Sequence, residues 1–476
     1  MLCIIVIFKF PKVFEMSLGN ASFPVLVLII GLVVSIHSWG KDSIQGPSQF
    51  FLLFAGFIAI FSQLASAIRN KAFRIFARKL YLAILENVKN VSIAIWILFL
   101  VGALIGSWSV SGILPGMILL GLKTIRPDLF LVGACFACSL VSLASGSSWS
   151  TVGTIGLALM GLGKVWDFPP GLVAGAILSG AYFGDKMSAL SDTTNLASGI
   201  CKVPLSAHIR FMLPTTSLSI ILSLVVYAIL GFQFEPSTIE NLGLESTLES
   251  AFPLYYPSFL VPIFVIAFVS LGLPAIPCLS IGVLGGVLIS IGIRAQDFAI
   301  VLESLVFGYK STLGDSSLDE LLSGGGILAM FPTVVLILSA MVFGACMEFS
   351  GKMDRIISEI LKMATSPKKL LYSTMGFCIF ANLSTSDQYL SVVIPGKTLK
   401  PSYEKMNMDL RYLSRTLEDS GTITSVLIPW NSCGVFMSTS LGILTLAYSP
   451  FCFFHWIHLS ITILNIGKKD NFSVIE

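Results

Sequence analysis

Charge is what this sequence has least of. Asp, Glu, Lys and Arg make up 12% of its 476 residues, about half the roughly 25% of a soluble domain. A globule of this size could not coat itself with so few charges, so a soluble fold is excluded. No basic stripe lies on a soluble domain, and the net charge is only +3, so nucleic acid is not a partner. No Ser-His-Asp nucleophile signature is present. His455 and His458 lie three apart near the C-terminus without a third ligand, and with His37 and His208 they read as interfacial. An enzyme is therefore not expected. The nine cysteines are odd in number and sit mostly in apolar segments, which excludes a disulfide framework. Cys135 and Cys138 form a C-x-x-C without a second pair and read as small residues packing on a buried helix. Gly324-Gly325-Gly326 is not followed by the Lys-Ser/Thr of a phosphate loop and reads as a flexible entry into the next helix.

What the chain has is apolar length: 55% of it is hydrophobic. A bilayer core about 30 Å thick takes roughly 20 apolar residues per helical crossing. Phe23–Val34, Phe50–Ala67, Ile93–Gly106, Met212–Phe232, Ser258–Ile293 and Ile327–Cys346 make all or most of a crossing. The fold class expected is an all-α polytopic integral membrane protein with about eleven or twelve membrane segments. Residues 1–232 form an N-terminal half, 233–325 an outer loop, two segments and a connector, and 326–476 a C-terminal half. Met1–Phe10 is short and lacks a basic start or a cleavage site, so the first helix is read as retained, with Met16 as an alternative start. The segments Arg69–Lys89, Lys352–Lys369 and Lys397–Arg415 are basic and belong in the cytoplasm by the positive-inside rule. The loop Gln233–Ala251, with four glutamates and no Lys or Arg, belongs outside. Trp108, Trp149 and Trp430 stand beside polar breaks, where they line a cavity or form interfacial belts.

Four apolar segments are interrupted rather than ended: at Gly146–Ser150, at Gly184–Asn195, at Asn382–Asp387 and at Pro429–Gly434. Unpaired backbone groups cost several kcal/mol each in lipid, so irregular backbone at membrane depth survives only where protein encloses a cavity. Paired interruptions in two halves of a chain point to a transporter site. Ser148 to Asn195 and Ser384 to Asn431 are each 47 positions (195 − 148; 431 − 384). This spacing suggests two inverted repeats, each with a re-entrant hairpin followed by a broken helix. Basic residues flank both hairpins, Lys123, Arg126 and Lys164 around the first. The charges around Leu131–Leu162 fit a hairpin opening to the cytoplasm; those around Leu371–Pro395 would do the same, whereas inverted symmetry would open that second hairpin to the outside.

Asp185, Asp192, Asp387, Glu418 and Asp419 lie in or beside these breaks, where a charge costs at least ~2.5–3.5 kcal/mol. One reading pairs some of them with Lys186 or Arg415 as structural salt bridges. The functional reading is a site for sodium, a hard cation that takes oxygen ligands. Asp192, Thr193, Thr194, Asn195, Asp387, Glu418, Asp419, Asn431 and Ser432 are the candidate cation- and proton-binding residues. Asp192, Asn195 and Asp387 are the candidate direct sodium ligands. Ser147, Ser148, Asp185, Lys186, Ser384, Thr385 and Ser386 would support them. Burial favours the protonated carboxyl and bound sodium the ionised one, so the two ions compete. Alternating exposure of such a site yields exchange. Sodium, the proton and the lipid bilayer are the expected partners, with a homodimer left open and no cofactor.

Several stretches of this chain resemble the NhaC family of sodium/proton antiporters. They are Gly146-Ser147-Ser148-Trp149 with Gly153-Thr154-Ile155-Gly156, Gly180–Ser188 with Leu190–Leu196, Asp387–Ser391, Ser414–Thr422 and Leu427–Gly434. Leu100–Leu122 matches more loosely, and the resemblance covers nearly the whole chain. Two positions depart from the family pattern: Ala189 stands where proline is usual and Ser386 where glycine is usual. The resemblance implies antiport in the cytoplasmic (inner) membrane. Because the family includes exchangers of organic acids and amino acids, malate–lactate exchange among them, it implies antiport more firmly than cargo.

Overall fold

The computed structural model describes residues 16–234, 241–271, 273–313, 319 and 322–468. Met1–Phe10 and positions 235–240 of the acidic loop lie outside the described residues. The described residues are mostly helical, and among them the only β feature is an isolated bridge between Tyr309 and Gly324. Seven described helices are long and apolar enough to cross a bilayer. A further candidate, Ser432–Leu441 with Thr445–Phe451, is bent by 83°. Shorter apolar helices cover Ile113–Thr124, Tyr256–Val269, Phe298–Phe307 and Phe453–Gly467. Leu26, Ile30, Phe50, Phe57, Phe61, Ile221 and Leu288 are exposed on outer faces. Water would penalise such a surface and lipid accepts it, so this is a multi-pass membrane protein.

The first half runs through α1 (Leu18–Trp39), α2 (Pro47–Arg69), α3 (Phe73–Asn90), α4 (Ser92–Val110) and α5 (Ile113–Thr124) to α6 (Phe130–Ser145). Here α6 ends at Gly146, in the left-handed region (φ 67°), and Ser147 turns extended to cap α7 (Ser148–Thr151). A π-turn, Val152–Gly156, joins α7 to α8 (Leu157–Val165). Then α9 (Pro170–Met187) packs along α6 at backbone contact. A Cβ on Gly180 would stand 2.0 Å from the Cys135 carbonyl oxygen, and one on Gly184 2.4 Å from that of Ser139. Cys135 and Cys138 are fully buried. The chain breaks again at Ser188–Ser191 before α10 (Asp192–Cys201) and the long α11 (Leu205–Gln233).

Between the halves lie α12 (Asn241–Ala251), α13 (Leu260–Ser270), α14 (Ala275–Gly292) and α15 (Phe298–Phe307). The glycines expected to be a flexible entry are pinned instead. All three have positive φ. Gly324 and Tyr309 exchange backbone hydrogen bonds, the Gly326 N–H donates to the Gly102 carbonyl on α4 (2.7 Å), and the Ile327 N–H to Leu305 (2.9 Å). Only glycine combines those dihedrals with so close an approach, which is how unwound backbone is satisfied inside the bundle.

The second half contains α16 (Phe331–Phe349), α17 (Lys352–Met363) and α18 (Pro367–Thr385). Ser386 then takes the left-handed conformation (φ 59°), and Asp387 turns extended to cap α19 (Gln388–Lys405). A helix follows with a π-turn in its middle: α20 (Leu410–Leu417), Glu418–Thr422, then α21 (Ile423–Ser425). After a break, Asn431 caps α22 (Ser432–Leu441), and α23 (Thr445–Tyr448) and α24 (Phe453–Lys468) close the bundle.

The breaks match in geometry, at a separation that differs from the expected one. Ser147 and Asp387 are extended caps after a left-handed residue, and Ser191 and Asn431 are extended caps of the next broken helix. Each pair of caps is 44 positions apart (191 − 147; 431 − 387), not 47. Ser384 misled the count because it is still helical, its hydroxyl bonded to the Phe380 carbonyl (2.7 Å).

The two hairpins open at opposite ends. Helix α11, 29 residues or about 43 Å long, gives the direction. At its C-terminal end Phe234 stacks on Phe168 (3.9 Å), beside the base of the first hairpin, where Phe130 meets Trp166. At its N-terminal end His208 bonds Ser414 (2.9 Å). The base of the second hairpin, where Thr374 bonds the Tyr403 hydroxyl, lies on that side, and Lys400 reaches the Ile200 carbonyl. The three basic segments gather at this same end: Phe76 packs on Phe349, Gln63 donates to Ser350, and α17 leads directly into α18. At the other end Lys123 pairs with Glu249 (2.8 Å). The base of the first hairpin thus lies at the end where Glu249 of the acidic segment sits, and there Arg126 also pairs with Asp128.

Candidate functional site

The α6–α9 contact places the first break against the last turn of α9. Asp185 there accepts from both the backbone N–H (3.1 Å) and the hydroxyl (2.7 Å) of Ser148. The second half is fastened similarly. The π-turn frees the Gly421 carbonyl, which accepts from Asn382 (2.7 Å). Asn431 donates to the Asn382 side-chain oxygen (2.9 Å), and the Ser432 N–H donates to the Ser386 carbonyl (2.8 Å).

Between the breaks lies a cavity of about 510 Å³. Ser147, Ser148, Asp185, Asp192 and Thr193 line it from the first half, and Asp387 and Ser432 from the second. Its wall also carries Trp149, one of the tryptophans for which a cavity-lining place was weighed, and Gln388, Tyr389 and Cys433, which sequence reasoning had not placed in the site. Trp149 stacks on Phe436 (4.2 Å). Trp108 instead is buried and donates to the Gly282 carbonyl, and Trp430 donates to Leu383. Asp192, the first residue of α10, is exposed toward the cavity, whereas Asp387 is buried and caps α19 through the Leu390 N–H (2.9 Å).

The remaining candidates, Asn195 among them, do not line this cavity. Thr194 donates to the Lys186 carbonyl, and Asn195 closes the turn by donating to the Ala189 and Ser191 carbonyls. Asn431 donates to Asn382 and accepts from the Cys433 N–H. Thr385 bonds within its own helix. Ser386 is fully buried with its hydroxyl unpartnered.

Left-handed backbone costs a non-glycine residue about 1–2 kcal/mol. Ser386→Gly is therefore expected to raise stability by about 1 kcal/mol, read as a higher unfolding midpoint in detergent. An unchanged or lowered midpoint would mean that the hydroxyl is held by a partner.

Asp419 and Glu418 are adjacent yet opposite in surroundings. The Asp419 carboxylate receives Lys186 Nζ (2.7 Å), His458 Nε2 (2.8 Å) and the Thr462 hydroxyl (2.9 Å), with Arg415 Nε at 3.5 Å. Lys186 and Asp419 are fully buried, so this ion pair is the structural pairing weighed for these acids. His458 is also bonded to Ser219 through Nδ1 (2.9 Å). His208, His455 and His458, expected at the interface, are all fully buried. Glu418 is fully buried too, but neither of its oxygens has a hydrogen-bond partner.

Residues 180–467 match the model of the Na+/H+ antiporter family. The chain is 35% identical to the Na(+)/H(+) antiporter NhaC of Alkalihalophilus pseudofirmus, over 86% of this chain and 90% of that one. It is 32% identical to the malate-2H(+)/Na(+)-lactate antiporter of Bacillus subtilis, over 96% and 94%. It is 34% identical to the arginine/ornithine antiporter ArcD of Halobacterium salinarum, over 92% and 89%.

Proposed function

The chain belongs to the Na+/H+ antiporter family, and from that premise we propose that it exchanges sodium for protons by alternating access at the cavity between the breaks. The observation that carries this reading is the convergence of Asp185, Asp192 and Asp387 on one cavity with the hydroxyls of Ser147, Ser148, Thr193 and Ser432. Hard oxygen donors of this kind suit sodium as the transported substrate. Sodium held by Asp192 and Asp387 favours the ionised carboxylates, and protons displace it.

The two hairpins, opening at opposite ends, act as inverted repeats that rock about the shared site. The cytoplasmic membrane is the natural seat of such an exchanger. The test is a reconstituted vesicle preparation: an inward sodium gradient should drive proton efflux with no organic solute present. Sodium entry without proton movement would overturn the reading.

The cavity volume supports a second reading, in which an organic solute accompanies the ions. About 510 Å³ lies within the range of small-molecule sites and is far more than one bare ion occupies. No Lys or Arg is among the described residues lining it, and Lys186 is engaged by Asp419. An organic acid would therefore bind only with sodium between it and the aspartates. Proton movement that appears only when malate or lactate is supplied would favour this second reading.

A further inference from the structure

We propose that Glu418 is the group that carries the exchanged proton, and that the Thr193 hydroxyl connects it to the cavity. The inference rests on the sodium/proton reading above and names, among the five acids of the breaks, the one that holds the proton.

The five acids differ in what holds them. Asp419 has an ion pair, two further donors and a nearby guanidinium, and Asp185 has two donors from Ser148. Asp387 has a capped N–H, and Asp192 faces the cavity. Glu418 alone combines full burial with two unpartnered oxygens. An unpaired buried carboxylate would cost several kcal/mol, and a proton removes that charge. Neighbouring acids in such unequal surroundings divide the acid and the base roles between them. The site of this contrast is a π-turn, Glu418–Thr422, a distortion frequent at functional positions.

Thr422 and Thr193 place hydroxyls beside Glu418, outside hydrogen-bond geometry. Thr193 also lines the cavity, so one residue borders both Glu418 and the cavity. The charged and titratable groups around Glu418 are Lys186 and Asp185 from α9, Asp419 on its own element and Cys378 from α18. Lys186 would stabilise the ionised glutamate and Asp185 opposes it. Sodium arriving in the cavity offsets the negative charge of Asp185 and Asp192. Glu418 then gives its proton to the Thr193 oxygen as the Thr193 hydroxyl proton passes to a cavity water. The glutamate is left ionised within reach of Lys186. Coupling is thereby electrostatic across one layer of protein, without direct contact between sodium and Glu418.

The experiment is an infrared difference spectrum of the purified protein, sodium-loaded minus sodium-free. A protonated carboxyl band should disappear when sodium binds. The band should be absent from Glu418→Gln and shifted in Glu418→Asp. In vesicles, Glu418→Gln should lower sodium-driven proton movement at least ~10-fold, with partial recovery in Glu418→Asp. The proposal is overturned if the band survives in Glu418→Gln, if wild-type protein has no such band, or if Glu418→Gln moves protons within about twofold of wild type. The band is read without transport. A wild-type protein that shows it but moves no protons would therefore sink the exchange reading and leave the proton on Glu418.

Discussion

Asp192→Asn is expected to reduce sodium-driven proton movement by roughly 100-fold while leaving the protein folded in the membrane. The magnitude follows from one lost charge-assisted contact to the ion, worth up to about 3 kcal/mol, at about 1.4 kcal/mol per tenfold. The fold should survive because Asp192 faces the cavity and its helix is capped by Ser191, whose hydroxyl accepts from the Thr194 N–H. Asn keeps the size and the oxygen but removes the charge that makes proton and sodium exclude each other. Vesicle assays at matched protein content measure the effect. Exchange within about twofold of wild type would remove Asp192 from the mechanism.

Lys186→Met should produce the largest loss of stability, about 3 kcal/mol. Breaking a buried ion pair typically costs about 3–5 kcal/mol, because it strands a charge. Here the loss falls at the lower end, since His458, Thr462 and Arg415 remain around Asp419. The double variant Lys186→Met, Asp419→Leu should recover most of the stability, because packed apolar residues often replace a buried pair without loss. Unfolding midpoints in detergent for the two singles and the double make the comparison. If Lys186→Met were as stable as wild type, the pair would be no anchor between α9 and the π-turn.

The fold was legible in the sequence wherever lipid imposes a strict rule. Apolar runs had to be helices, and polar interruptions had to be enclosed. Asp192, Asp387, Ser147 and Ser148 were legible for that reason, since nothing else excuses oxygen-rich breaks in apolar segments. The identity of the caps was not. Serine reads the same whether it caps, as Ser147 does, or bonds back to its own helix, as Ser384 does. Only the backbone distinguishes them, and the apparent repeat was therefore displaced.

The surroundings of Asp419 were also hidden. Its histidine and threonine come from α24, about 40 residues onward, and no local pattern announces a pairing across the bundle. The available signal was the spacing of His458 and Thr462, i and i+4 on an otherwise apolar helix, which puts both on one inward face. Charge and symmetry disagreed over the orientation of the hairpins, and the pairing of Lys123 with Glu249, far off in sequence, was likewise hidden from a local count of charges.

The most direct measurement adds sodium to the purified, lightly buffered protein and records protons released and sodium bound together. A shared carboxylate cluster requires about one proton or more to leave per sodium bound. By reciprocal linkage, sodium affinity must then weaken about tenfold for each unit of falling pH over the titrating range. Sodium that binds with pH-independent affinity and releases no proton would contradict the account.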